Sequence, residues 1–143
     1  MTSLWISSSL ALATVLILGC GTTDPPNTMD QSTLNNQTMR ERAMLPDMYV
    51  DDFFPDQVVD ACKAVLVEMC HRIESEHPQN VAALYVITHR ATERLNDLQE
   101  VFEEHGSEIE TGARESLGME FDFIAKAYGF DADVEELIAP REW

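Results

Sequence analysis

The chain has 143 residues, with 26 Asp and Glu against 9 Lys and Arg for a formal charge of -17, and 45% of its residues are hydrophobic. That length holds one domain and little more, and the apolar share supports a core, so a wholly disordered chain is excluded. Nucleic acids and anionic membrane surfaces are excluded as charge-driven partners, because so acidic a body repels phosphates.

Residues 1–20, MTSLWISSSLALATVLILGC, carry no charged side chain, and Leu10 to Leu18 form an unbroken run of apolar and small residues. A membrane-crossing helix needs roughly 20 predominantly apolar residues, and here Ser7, Ser8 and Ser9 interrupt the run. The segment therefore reads as a processing signal. Its end, Ile17-Leu18-Gly19-Cys20, resembles the bacterial lipobox, which is cleaved before a cysteine that is then acylated on sulfur and on its new amino group. The resemblance implies a lipoprotein signal peptide over 1–19 and a lipidated Cys20 carrying palmitate-like chains. Two or three acyl chains, at about 0.8 kcal/mol per buried methylene, anchor firmly where one would not. Gly21, in place of Asp, resembles the sorting class that reaches the outer membrane of a host with two membranes. The expected location is the cell envelope, with the chain held at the membrane by lipid.

Residues 20–45 are then expected to be the lipidated cysteine and a flexible tether. Thr, Asn, Gln, Pro and Asp dominate 21–39, which offers too little apolar surface to offset ordering entropy. Apolar periodicity begins near Leu45 and Pro46, so the domain is placed at 46–143. Within it 23 acidic and 7 basic residues leave -16, and the acidity belongs to the domain surface.

The first strong helix is predicted at about 56–76, with Val58, Cys62, Val65, Leu66, Met69 and Ile73 on one face and Pro78 forcing a break. A second runs from about 80 to 104 on the stripe Leu84, Ile87, Ala91, Leu95, Leu98 and Phe102, and Gly106 ends it. Ser107 and Glu110 have the spacing of a capping box for a third helix over 108–128, terminated by Gly129. That helix carries one apolar face at Ala113, Leu117, Phe121, Ile124 and Tyr128 and another at Met119, Phe123 and Phe130, which suits a central position. A short fourth helix is predicted at 132–139. With no strand signal, the fold class is all-α: a small antiparallel bundle of three main helices plus a short C-terminal helix.

Few residues suggest chemistry. Cys62 and Cys70 lie roughly 12 Å apart along one helix and cannot bond to each other. Glu68 and His71 form a single E-x-x-H, where a di-iron bundle needs two copies and further carboxylates, so a solvated face is the simpler reading. On the second helix His89, Glu93, Asn96, Glu100 and Glu103 lie opposite the apolar stripe, with Tyr85, Thr88 and Thr92 beside them. His89, Glu93 and Glu100 are the candidates for metal-dependent or acid-base catalysis, against a plain solvated ridge. Glu110 is angled toward the apolar face of its helix and is expected to pair with Arg114, four residues on, as a structural clamp. The glutamates of 100–115 match no calcium loop, though a divalent-cation sensor is a third reading. No nucleophile elbow, phosphate loop, dinucleotide fingerprint or Cys/His metal framework is present, so no cofactor and no metal is expected.

The stretches MYVDDFFPDQVVD, LYVITHRATERLNDLQEVFEEHGSEIETGARE, FIAKAYGF and EELIAPREW resemble a bacterial family of unknown function, domain of unknown function 5713, over about 48–143. The resemblance implies a small all-helical domain and supplies no mechanism; Pro140 stands where the family ending is expected to have Thr. The leading expectation is a lipid-anchored envelope lipoprotein with a non-catalytic acidic interaction domain for a basic protein partner. The alternative is an enzyme built on the His/Glu ridge.

Overall fold

A computed structural model describes residues 29–143. Every regular element among the described residues is helical: a 3-10 turn at Gln31–Thr33, then α1 (Gln37–Glu41), α2 (Pro46–Tyr49), α3 (Asp56–Glu76), α4 (Val81–Asp97), α5 (Gln99–Glu104), α6 (Thr111–Ala127) and α7 (Val134–Leu137). No helix among these residues is long and apolar enough to cross a membrane. The expected signal peptide and Cys20 lie outside the described residues.

Helix α3 starts where Pro55 sets an extended residue ahead of Asp56, whose carboxylate suits the positive end of the helix. All six residues of its predicted stripe are buried, and so are Val59, Val67 and Cys70. The buried face is thus wider than its periodicity indicated, with Cys70 lying beside Tyr128. Leu34, Met39, Met44 and Leu45 are buried in the common core, and Met29, Asp30 and Gln31 border a depression with Lys63, Ala64 and Val67 of α3. Residues 29–45 are therefore a packed strap, not tether, and the folded region begins well before Pro46. Leu45, in the strap's last turn, adopts a left-handed conformation with φ 52°.

At the far end of α3, His77 also turns left-handed, and its N–H donates to the Ile73 carbonyl at 3.1 Å. Pro78 follows, and a residue before proline is disfavoured in the right-handed helical region, so α3 stops there. Asn80 then caps α4, its side chain accepting from Ala83 N–H at 2.9 Å. The second predicted helix is interrupted at Leu98, where a 3.0 Å bond from Leu98 N–H to Leu95 O replaces the regular pattern. No proline or glycine marks that break.

Gly106 ends α5 at φ 71°: its N–H donates to Glu103 O at 3.0 Å and Ser107 N–H to Phe102 O at 2.9 Å. This closure assigns Ser107 to the preceding helix. The expected start of the third helix at 108 with a Ser107 cap is therefore corrected: α6 starts at Thr111, and the Glu110 side chain caps it by accepting from Gly112 N–H at 3.2 Å. The same closure recurs after α6 at Gly129, φ 85°, with Phe130 N–H donating to Ala125 O at 2.9 Å.

Helix α6 packs against α1, α2, α3 and α7. Ala113, Leu117, Phe121 and Ile124 form its buried face. The second side differs from expectation. Met119 is 56% exposed and Phe123 is half-buried beneath the Arg42 guanidinium at 3.5 Å, while the other buried positions of the helix are Ser116, Gly118, Glu120 and Ala125. Helix α7 is shorter than the predicted 132–139 and is capped by Asp133, which accepts from Glu135 N–H at 2.8 Å.

Candidate functional site

The polar ridge of α4 is where the C-terminal segment docks. His89 Nε2 lies 2.7 Å from the Glu136 carbonyl oxygen, which can only accept, so the ring nitrogen carries the proton and donates. Tyr85 stacks on the same ring with centroids 5.9 Å apart. Two turns on, the Asn96 amide holds the tail from both sides: Nδ2 donates to Pro140 O at 2.9 Å, and Oδ1 accepts from Glu142 N–H at 3.0 Å. Trp143, just beyond, is buried in the core with its indole N–H unpartnered. Thr88 and Thr92 are buried, and the Thr92 hydroxyl donates back to Thr88 O at 3.0 Å. Glu93, Glu100 and Glu103 are exposed. Among the described residues, no group of three or more His, Cys, Asp or Glu side chains is placed to hold a metal ion.

The Glu110 and Arg114 side chains are not brought together. Glu110 is turned back to its cap, and Arg114 is exposed on the rim of a groove of about 430 Å³ between α6 and α7, floored by Gly118, Val134 and Ile138. Glu68 and His71 also part. Glu68 pairs with Arg72, at 3.0 Å, and with Arg94, while His71 Nε2 lies 3.0 Å from Asp30 O on the strap. Cys62 and Cys70 are free and buried, and burial pushes both thiols up to about 12.

The sequence reading missed two carboxylates that hold the strap. Glu120, buried in α6, accepts from Arg42 Nε at 2.8 Å, Arg42 Nη2 at 3.2 Å and Leu45 N–H at 3.0 Å. A carboxylate so placed needs this pairing, since an unpaired buried charge costs several kcal/mol. Its signal is legible in retrospect: at helical spacing Glu120 falls on the same face as Ala113, Leu117 and Ile124. The second is Glu74, near the end of α3, which accepts from the backbone N–H groups of Asn35 at 2.8 Å and Asn36 at 3.0 Å and from the Tyr128 hydroxyl at 2.7 Å. Burial pushes its carboxyl up, but these bonds outweigh it, and the group lies below its ordinary value. Tyr128 is pushed the other way, by burial first and then by its bond to Glu74.

Four of these polar groups hold the two ends of the described chain. His89 and Asn96 grip the tail, and Glu74 and Glu120 grip the strap. A family model described as a family of unknown function (DUF5713) matches residues 38–143. No curated protein and no solved structure gave a match.

Proposed function

The chain belongs to the DUF5713 family, and since that family's function is unknown we propose one from the chain's own residues: a lipid-anchored lipoprotein of the cell envelope whose helical domain is a non-catalytic acidic interaction module. In this reading three main helices and a short C-terminal helix form a bundle that presents carboxylates to a basic protein partner. The observation that carries it is the division of labour among the polar side chains. His89 and Asn96, the groups best suited to chemistry, are spent on holding the tail, while Glu93, Glu100, Glu103 and most other acids stand exposed. A basic partner would be steered to such a surface, and its binding would weaken with salt.

The anchor rests on the lipobox-like Ile17-Leu18-Gly19-Cys20 at the end of an uncharged apolar run. Mass spectrometry of the chain extracted from bacterial membranes tests it. The expected species begins at acylated Cys20, and Cys20→Ala leaves the signal uncleaved. An unacylated chain that still begins at Met1 would overturn the anchor.

A further inference from the structure

Two of the large apolar side chains left exposed, Val50 at 82% and Phe53 at 42%, sit together on the loop between α2 and α3. The Phe53 end of the loop is held in place. Asp51 Oδ1 accepts from Phe53 N–H at 2.9 Å, and the Asp51 carbonyl accepts from Phe54 N–H at 3.0 Å, which fixes the turn. Beneath it the Phe54 ring is buried edge-on to Phe53, centroids 5.1 Å apart, and edge-on to Phe102 of α5 at 6.4 Å. The contact with Phe102 brings the end of α5 to the same side of the molecule.

The rim of this patch has one sign. Asp51, Asp52 and Asp56 flank the loop, Glu103, Glu104 and Glu108 follow Phe102, and all are exposed. None of them takes part in the ion pairs of the described residues. Elsewhere the rims are mixed: Asp122 pairs with Lys126 and Glu135 with Arg141 beside the α6–α7 groove, and Arg72, Arg90 and Arg94 interleave with acids between α3 and α4.

We propose that the Val50–Phe53 loop is the docking knuckle for a protein partner that offers an apolar surface edged by Lys and Arg. A preset aromatic anchor costs little ordering entropy on binding, and such anchors carry most of the energy of an interface. The unpaired rim gives the partner its sign and disfavours an anionic lipid surface. This rests on the interaction-module reading above and assigns its contact point.

The test uses the full chain in phosphatidylcholine nanodiscs and a fluorescent amphipathic helix of leucine and lysine, with empty nanodiscs subtracting binding to lipid. Val50→Ser with Phe53→Ser is expected to weaken binding by about tenfold or more, while Val86→Ser with Met119→Ser, also exposed but elsewhere, changes it by less than about twofold. Unchanged melting temperatures check that both pairs fold. Equal effects of the two pairs, or none, would overturn the docking site and leave the interaction module standing. Absence of any salt-sensitive binding by the unsubstituted chain would overturn both.

Discussion

Glu120 holds the strap through three bonds, and its loss leaves both Arg42 and the Leu45 N–H without a partner. Glu120→Ala is expected to lower unfolding stability by about 3 kcal/mol in urea titrations, and Glu120→Gln by less, because an amide oxygen still accepts from Leu45. The thiols make a second prediction at this scale. Their folded values, raised from 9.0 to about 12, contribute stability that is complete below the unfolded value and lost as pH rises from about 9 toward 12. Both cysteines are accordingly expected to resist a thiol reagent at mildly alkaline pH in the native chain and to react on unfolding. Rapid native labelling of either would contradict this. Residue-level reading from sequence worked for Cys62, which falls on the periodic stripe, and did not reach Cys70, which is buried beside Tyr128. The expected Glu110–Arg114 clamp assumed a helix already running at 108; with α6 starting at Thr111, Glu110 is the cap.

At the scale of elements, the helices with regular apolar spacing were legible and the segments pinned by distant partners were not. Periodicity located α3 and α4, and Gly106 and Gly129 marked helix ends at the two positions where the backbone turns left-handed with a glycine. The strap looked like linker because Asn, Gln and Thr dominate it. Its Asn35 and Asn36, however, meet a glutamate 38 and 39 positions away, a pairing that no local pattern encodes. Since the carboxyl of Glu74 is depressed, its contribution is present above the ordinary carboxylate value of 4.5 and is lost as pH falls through its folded value. Glu74→Ala is expected to cost about 1–3 kcal/mol and, in hydrogen exchange, to speed exchange at Asn35 to Met39 well before α3 and α4 respond. Uniform acceleration across the molecule would mean that the strap is no separate unit. The α4 ridge carries the same lesson. Of its residues only His89 and Asn96 bind the tail, and the Glu136 and Pro140 carbonyls that they meet are set by the chain's return over α4.

For the whole molecule, charge is the most informative property and was fully readable in advance. The -16 over residues 46–143 stands on a surface whose ion pairs absorb only a few carboxylates, and the strap's Arg42 is itself spent on Glu120. Charge of this sign attracts cations, and the proposed lipid at Cys20 would hold the body near a membrane that its charge does not favour. Affinity capture from envelope extracts with the full chain, washed at low and then high ionic strength, tests the interaction-module reading most directly. The account predicts a basic protein that is retained at low salt and released as salt rises. A low-salt eluate with no such protein, or a partner whose retention is indifferent to salt, would contradict it.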